Sequence, residues 1–107
     1  MRKINTFKRY FRDFYDSLTN EEQEKIDYAL MLLKTHNRIT EKFVKHLREG
    51  IYELRAEYKS NNYRVLFFFD NGNIVVLLNG FQKKTRKTPK SVIEQAIRLR
   101  KEYYESK

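Results

Sequence analysis

Three runs suited to β-strands, Ile51–Tyr58, Tyr63–Phe69 and Ile74–Leu78, follow one another with only short polar turns between them. No other part of the chain constrains the fold as tightly. β-Branched and aromatic residues dominate the runs, and such side chains pack well on a pleated surface. Asp70-Asn71-Gly72-Asn73 contains Asn-Gly, the strongest short-range hairpin signal, because both residues tolerate the positive φ of a tight turn. Ser60-Asn61-Asn62 is read as the turn between the first two runs. Three successive strands joined this way form an antiparallel meander. The last two runs are nearly all apolar, so both faces of the sheet need partial cover.

Helices on either side of the block supply that cover. The alternation over Lys3–Tyr10 favours an opening strand, with helix taking over near Phe11, since Phe11, Phe14, Tyr15 and Leu18 fit helical spacing. Thr19-Asn20-Glu21-Glu22 is a capping box, and Ile26, Ala29, Leu30 and Leu33 continue an amphipathic helix behind it. Asn37–Thr40 reads as a connection and Glu41–Arg48 as a short helical turn before Gly50. Thr88 as N-cap and Pro89 at the first helical position open a closing helix with Val92, Ile93, Ala96, Ile97 and Leu99 as its buried stripe. The expected fold is α+β: an antiparallel sheet with N-terminal helices and a C-terminal helix packed on it, in one domain over residues 1–107.

Charge narrows the functional classes. Twenty-three Lys and Arg stand against 14 Asp and Glu, a net charge of +9, which suits a polyanion partner. The cations gather late in the chain: Lys83, Lys84, Arg86, Lys87, Lys90, Arg98, Arg100 and Lys101 fall within residues 82–101, with Glu94 as the only acid. Residues 13–27 run the other way, with six acids against Lys25. Cysteine is absent, which excludes disulfides, thiolate catalysis and Cys-based metal sites. His36 and His46 have no cluster of further ligands around them in the sequence. The three glycines are isolated, so no phosphate loop is present. No apolar stretch approaches a membrane span, and the expected setting is the cytoplasm.

The candidates for chemistry are therefore cations on or beside the sheet. Arg55 lies in the first strand and Arg64 opens the second; if the two pair as antiparallel neighbours across the Ser60-Asn61-Asn62 turn, both sit on one sheet face. Arg64 precedes five apolar residues; the structural alternative is an edge residue paired with Glu53 or Glu57. Lys83 and Lys84 follow the third strand, and Arg86 and Lys87 continue the basic loop. Cations of this kind neutralise phosphates, and Tyr58, Tyr63 and Phe81 are aromatics suited to stacking on unpaired bases. RNA also breaks without a metal: its own 2′-OH attacks the adjacent phosphate once deprotonated. An acid then protonates the leaving 5′ oxygen while cations hold the charge on phosphorus.

The series Gly50-Ile51-Tyr52-Glu53-Leu54-Arg55, Tyr63-Arg64-Val65 and Gly80-Phe81-Gln82-Lys83-Lys84-Thr85-Arg86-Lys87-Thr88-Pro89, followed by a helix, resembles the HigB-like branch of the RelE/ParE toxin superfamily. The resemblance implies a RelE-like sheet and the toxin of a type II toxin–antitoxin pair, an mRNA interferase that enters the ribosomal A site and cuts the message there. It implies no metal or other cofactor, no membrane, and a helix-turn-helix antitoxin as partner. Arg64 matches the strand arginine that contacts the scissile phosphate. Arg55 stands near basic positions of the preceding strand, and Lys83 and Lys84 fall where relatives carry arginine. The tyrosine that RelE places near its C-terminus has no counterpart here. Two other readings stay open: a non-catalytic basic module holding nucleic acid or an acidic protein, and a ParE-type gyrase inhibitor.

Overall fold

The computed structural model describes residues 1–107. In chain order it comprises β1 (Lys3–Thr6), α1 (Tyr10–Asp16), α2 (Asn20–Thr35), β2 (Val44–Arg48), β3 (Ile51–Tyr58), β4 (Asn61–Asp70), β5 (Ile74–Lys83) and α3 (Lys90–Glu105). The strands form one sheet in the order β1-β5-β4-β3-β2. The expected meander β3-β4-β5 is its centre, antiparallel throughout. β2 extends it antiparallel at one edge, and β1 adds a single parallel pairing at the other. The Asn71-Gly72 turn has φ of 58° and 68°, the left-handed geometry that the Asn-Gly pair favours.

Helices cover both faces. Ile26, Ala29 and Leu33 of α2 and Phe11 of α1 pack on Leu54, Val65, Phe67, Val75 and Leu77. Ala96 and Leu99 of α3 pack on Ile51, Leu66, Phe68, Val76 and Leu78 from the other side. Burying each such Leu or Phe stabilises the fold by about 1.5–3 kcal/mol. The capping box of α2 forms as read, with Thr19 Oγ1 accepting from the Glu22 amide and Glu22 accepting from Thr19 N–H. Acidic α1 and α2 thus lie on one face of the sheet, and basic α3 with the loop before it on the other.

One irregularity positions the site. Phe67 pairs with Leu77 but Leu66 pairs with Asn79, so Leu78 is an extra residue in β5, a β-bulge. Before it, Val75 and Leu77 face α2; after it, Asn79 bonds Gln95 of α3 and Gly80 meets Phe14 of α1. An extra residue inverts every later side chain. The bulge therefore turns Phe81 and Lys83 onto the face that carries Arg64.

Three local expectations change. Glu41–Arg48 is not helical: Val44–Arg48 is strand β2, joined to β3 through Glu49 and Gly50 at φ of 50° and 77°. A single helical turn lacks cooperative support, whereas β2 satisfies the backbone edge of β3. The turn between β3 and β4 is Lys59-Ser60, one residue earlier than read, since Tyr58 pairs with Asn61. Helix α3 starts at Lys90 with Pro89 at the cap position, because the Thr88 hydroxyl donates to the Glu53 carboxylate instead of capping.

Candidate nucleic-acid interface

Arg55 and Arg64 are direct cross-strand partners, so two guanidinium-bearing side chains share one face of the central meander. Like charges in opposed positions destabilise a sheet, and a carboxylate compensates. Glu53 is 1% exposed and shares the face of Arg55, two residues away. Its Oε1 accepts from Arg55 Nε at 3.1 Å and lies 3.5 Å from Arg64 Nε. Its Oε2 accepts from the Thr88 hydroxyl, tying the basic loop to the sheet floor. Glu53 thus stands where the alternative for Arg64 placed it, but at the middle of the sheet and not at an edge.

Arg64 is 8% exposed on β4, the central strand. Its Nη1 donates to the Tyr63 carbonyl at 3.1 Å, while Nε is buried with no hydrogen-bond partner. Burial works against its charged form, offset by Glu53 and aggravated by Arg55; a guanidinium keeps its charge regardless. Lys83, at the end of β5 on the same face, is partly buried. Burial, then Arg64, holds its ammonium below the ordinary lysine range, with Arg55 and Lys45 adding to the effect and Glu53 opposing it.

Around them runs a groove of about 340 Å³ whose walls include Lys45, Arg55, Lys83, Arg86 and Lys87, with Glu53 and Thr88 at its base. The structure thus brings together Arg55, Arg64, Lys83, Arg86 and Lys87. Lys84 is exposed and lies outside the groove. Phe81 pairs with Arg64 and is half-buried against the α3 side. Tyr58 and Tyr63 stand apart: both face α2, and Tyr63 is 1% exposed with its hydroxyl on Glu22. Neighbours in a strand point to opposite faces, so Tyr63 cannot share the face of Arg64, and this much was readable from the sequence. Sequence reasoning missed Lys45, hidden by the helical reading of its segment, and the anchoring role of Glu53. The spacing Glu53-Leu54-Arg55, which puts acid and base on one face, was the available signal for the latter. No three of His, Asp and Glu converge in a way that would hold a metal ion, and no helix is long and apolar enough to cross a membrane.

Comparison with known proteins follows the same lines. The family model described as "Phage derived protein Gp49-like (DUF891)" matches residues 13–101. Over 54 residues the chain is 44% identical to the "Probable endoribonuclease HigB1" of Mycobacterium tuberculosis, in strains CDC 1551 / Oshkosh and ATCC 25618 / H37Rv alike. That match spans 50% of this chain and 42% of the relatives' length, less than half of them. Among solved structures, the archaeal RelE–RelB complex from Pyrococcus horikoshii OT3 aligns with a TM-score of 0.56 at 16% identity, covering 80% of this chain and 98% of that one. A mutant E. coli toxin RelE bound to an antitoxin RelBc peptide aligns with a TM-score of 0.57 at 14% identity, covering 89% and 93%. These likenesses establish a RelE fold, and with a family model matched along most of its length the chain belongs to the phage-derived Gp49-like family.

Proposed function

We propose that this protein is an mRNA endoribonuclease, the toxin of a toxin–antitoxin pair, and that it acts in the cytoplasm on message held in the ribosomal A site. The observation that carries the reading is the clustering of Arg55, Arg64 and Lys83 around one buried carboxylate, that of Glu53. Like charges packed this closely cost stability, and a phosphate is the ligand that repays the cost. The endoribonuclease name of the relatives matched over half of this chain and the RelE fold support the same reading.

In this mechanism Arg64 and Arg55 hold the oxygens of the scissile phosphate. The 2′-OH of the preceding ribose gives its proton to solvent water and its oxygen attacks phosphorus to form a 2′,3′-cyclic phosphate, while the bond to the 5′ oxygen breaks. Lys83 donates the proton that the leaving oxygen takes up, a role suited to an ammonium with a lowered pKa. Glu53 orients both guanidinium groups and is a positioning residue, since its two oxygens are taken up by Arg55 and by the Thr88 hydroxyl. Arg86, Lys87 and Phe81 line the path of the strand. The partner proposed for the toxin is a helix-turn-helix antitoxin.

Primer extension on a defined mRNA in a reconstituted translation system, with and without ribosomes, tests the reading. Cuts that need ribosomes, fall in codon register and vanish with Arg64→Ala are the expected result. An intact message while the protein binds ribosomes rejects the nuclease in favour of a binding module.

A further inference from the structure

β2 stops pairing at Val44–Leu54, so β3 has a free edge beyond the Arg55 amide. The Arg55 amide is the last to be met there, donating to the Phe43 carbonyl at 2.7 Å. Beside that edge lies a second recess, about 430 Å³, within the range of about 300–1,000 Å³ typical of ligand sites. Lys25 and Tyr28 of α2, Lys42 and Phe43 of the segment before β2, and Arg55 and Arg64 line it. Glu57 is the one carboxylate among its walls and is exposed.

The composition of the recess is not that of a structural filler. Tyr28 is 53% exposed, on the outer side of a helix whose buried stripe is Ile26, Ala29 and Leu33. Its ring stands 6.2 Å from that of Phe43, at 64°. Four cations line it beside one exposed ring, Tyr28, and one partly buried ring, Phe43, the combination by which proteins hold single-stranded nucleic acid: ammonium and guanidinium groups on phosphates, aromatic faces on bases. The recess is also continuous with the cleavage patch, because Arg55 lines both it and the neighbouring groove. A strand whose phosphate sits on Arg55 and Arg64 must leave that point in two directions, and the recess is one of them.

Building on the phosphate-binding role of Arg64 and Arg55, we propose that this recess is a nucleotide subsite. It takes an unpaired RNA nucleotide adjacent to the scissile phosphate, with the base against Tyr28 and Phe43 and Lys25 and Lys42 serving the flanking phosphate. An acidic peptide would use the same cations. It has no base to stack, and the continuity with the phosphate patch favours RNA.

The test uses ribosomes programmed with an mRNA whose scissile nucleotide is 2′-deoxy, with 4-thiouridine placed one nucleotide before or after the cut. Irradiation and peptide mapping locate the contacts, and KM and kcat are measured on the unmodified message. One of the two placements crosslinks to Tyr28 or Phe43. Tyr28→Ala raises KM about tenfold, the effect of losing one base–aromatic stack, with little change in kcat, while Tyr28→Phe keeps the wild-type KM. Crosslinks confined to Lys83–Lys87, with KM unchanged in Tyr28→Ala, overturn the subsite and leave the nuclease standing. No crosslink to any part of the protein, together with no cleavage, overturns both. If Tyr28→Ala weakens capture of the antitoxin and leaves RNA kinetics untouched, the recess is a protein-docking surface and the proposal fails.

Discussion

Arg64 Nε lies 3.5 Å from Glu53 Oε1, both side chains are buried, and that Nε has no hydrogen-bond partner. The pair is held by charge and strand geometry, with the guanidinium left incompletely satisfied. A buried ion pair of this kind contributes little net stability while intact, yet removing one partner strands the other. Here the acid serves two arginines, so the two halves of the pair are not equivalent.

Glu53→Gln leaves Arg55 and Arg64 facing each other without a counter-ion. It is expected to lower the unfolding free energy by about 3 kcal/mol. Arg64→Ala costs less, since Arg55 still pairs with Glu53, but lowers cleavage by a factor of about 10²–10³, the loss of one charge-stabilising group. Urea unfolding beside single-turnover cleavage separates the two. Equal stability losses from both variants would show that Glu53 does not serve Arg55.

Lys83 is expected to set the alkaline limb of the pH–rate profile. In the proposed mechanism its proton is the one delivered, and burial with Arg64 lowers its pKa, so activity is expected to fall as pH rises through a value below the ordinary lysine range of about 10.4. Lys83→Arg keeps the charge but cannot release the proton. It should lower kcat by about 10²–10³ with KM nearly unchanged and abolish the limb. A Lys83→Arg enzyme with wild-type kcat would make Lys83 a phosphate ligand only.

Gly80 is glycine because of Phe14. A Cβ on Gly80 would stand 2.3 Å from Phe14 Cδ2 and 2.8 Å from Cε2, so the α1 ring occupies the space a side chain would need. Gly80→Ala is expected to cost about 1–3 kcal/mol, a fall in Tm of about 4–8 °C per kcal/mol. Phe14→Leu in the same chain should recover part of the loss, so that the two changes are non-additive. Additive losses would place the strain elsewhere.

Burial and the Glu22 carboxylate push the Tyr63 hydroxyl up to about 12 from 10.0. A raised phenol favours the folded state fully below the unfolded value and loses that contribution as pH climbs through the folded one. Stability is therefore expected to fall between about pH 10 and 12 by more in the wild type than in Tyr63→Phe. Parallel unfolding titrations of the two proteins check it, since the lysines titrate in both. Coincident slopes would mean that the hydroxyl is not held by Glu22.

Much of this molecule follows from local chemistry. The Asn71-Gly72 turn, the capping box at Thr19, the helical stripes and the meander are each specified by residues close together in the chain. The concentration of cations around Lys83–Lys87 and the RelE-like order of elements were legible for the same reason. The pairing of Arg55 with Arg64 was not, because a turn at Ser60-Asn61-Asn62 would oppose Arg55 to Phe67, and only the two-residue turn at Lys59-Ser60 brings the two arginines together on one face. Lys83 itself was not placed by any local rule. Uninterrupted alternation from Val75 and Leu77 would set Phe81 and Lys83 facing α2, and only the bulge at Leu78 returns them to the face of Arg64. The strand β2, the parallel β1 and the burial of Glu53 between two arginines likewise depend on partners distant in sequence. A bulge or an edge pairing is stabilised by what lies across the sheet, so tertiary packing decided which of the cations meet.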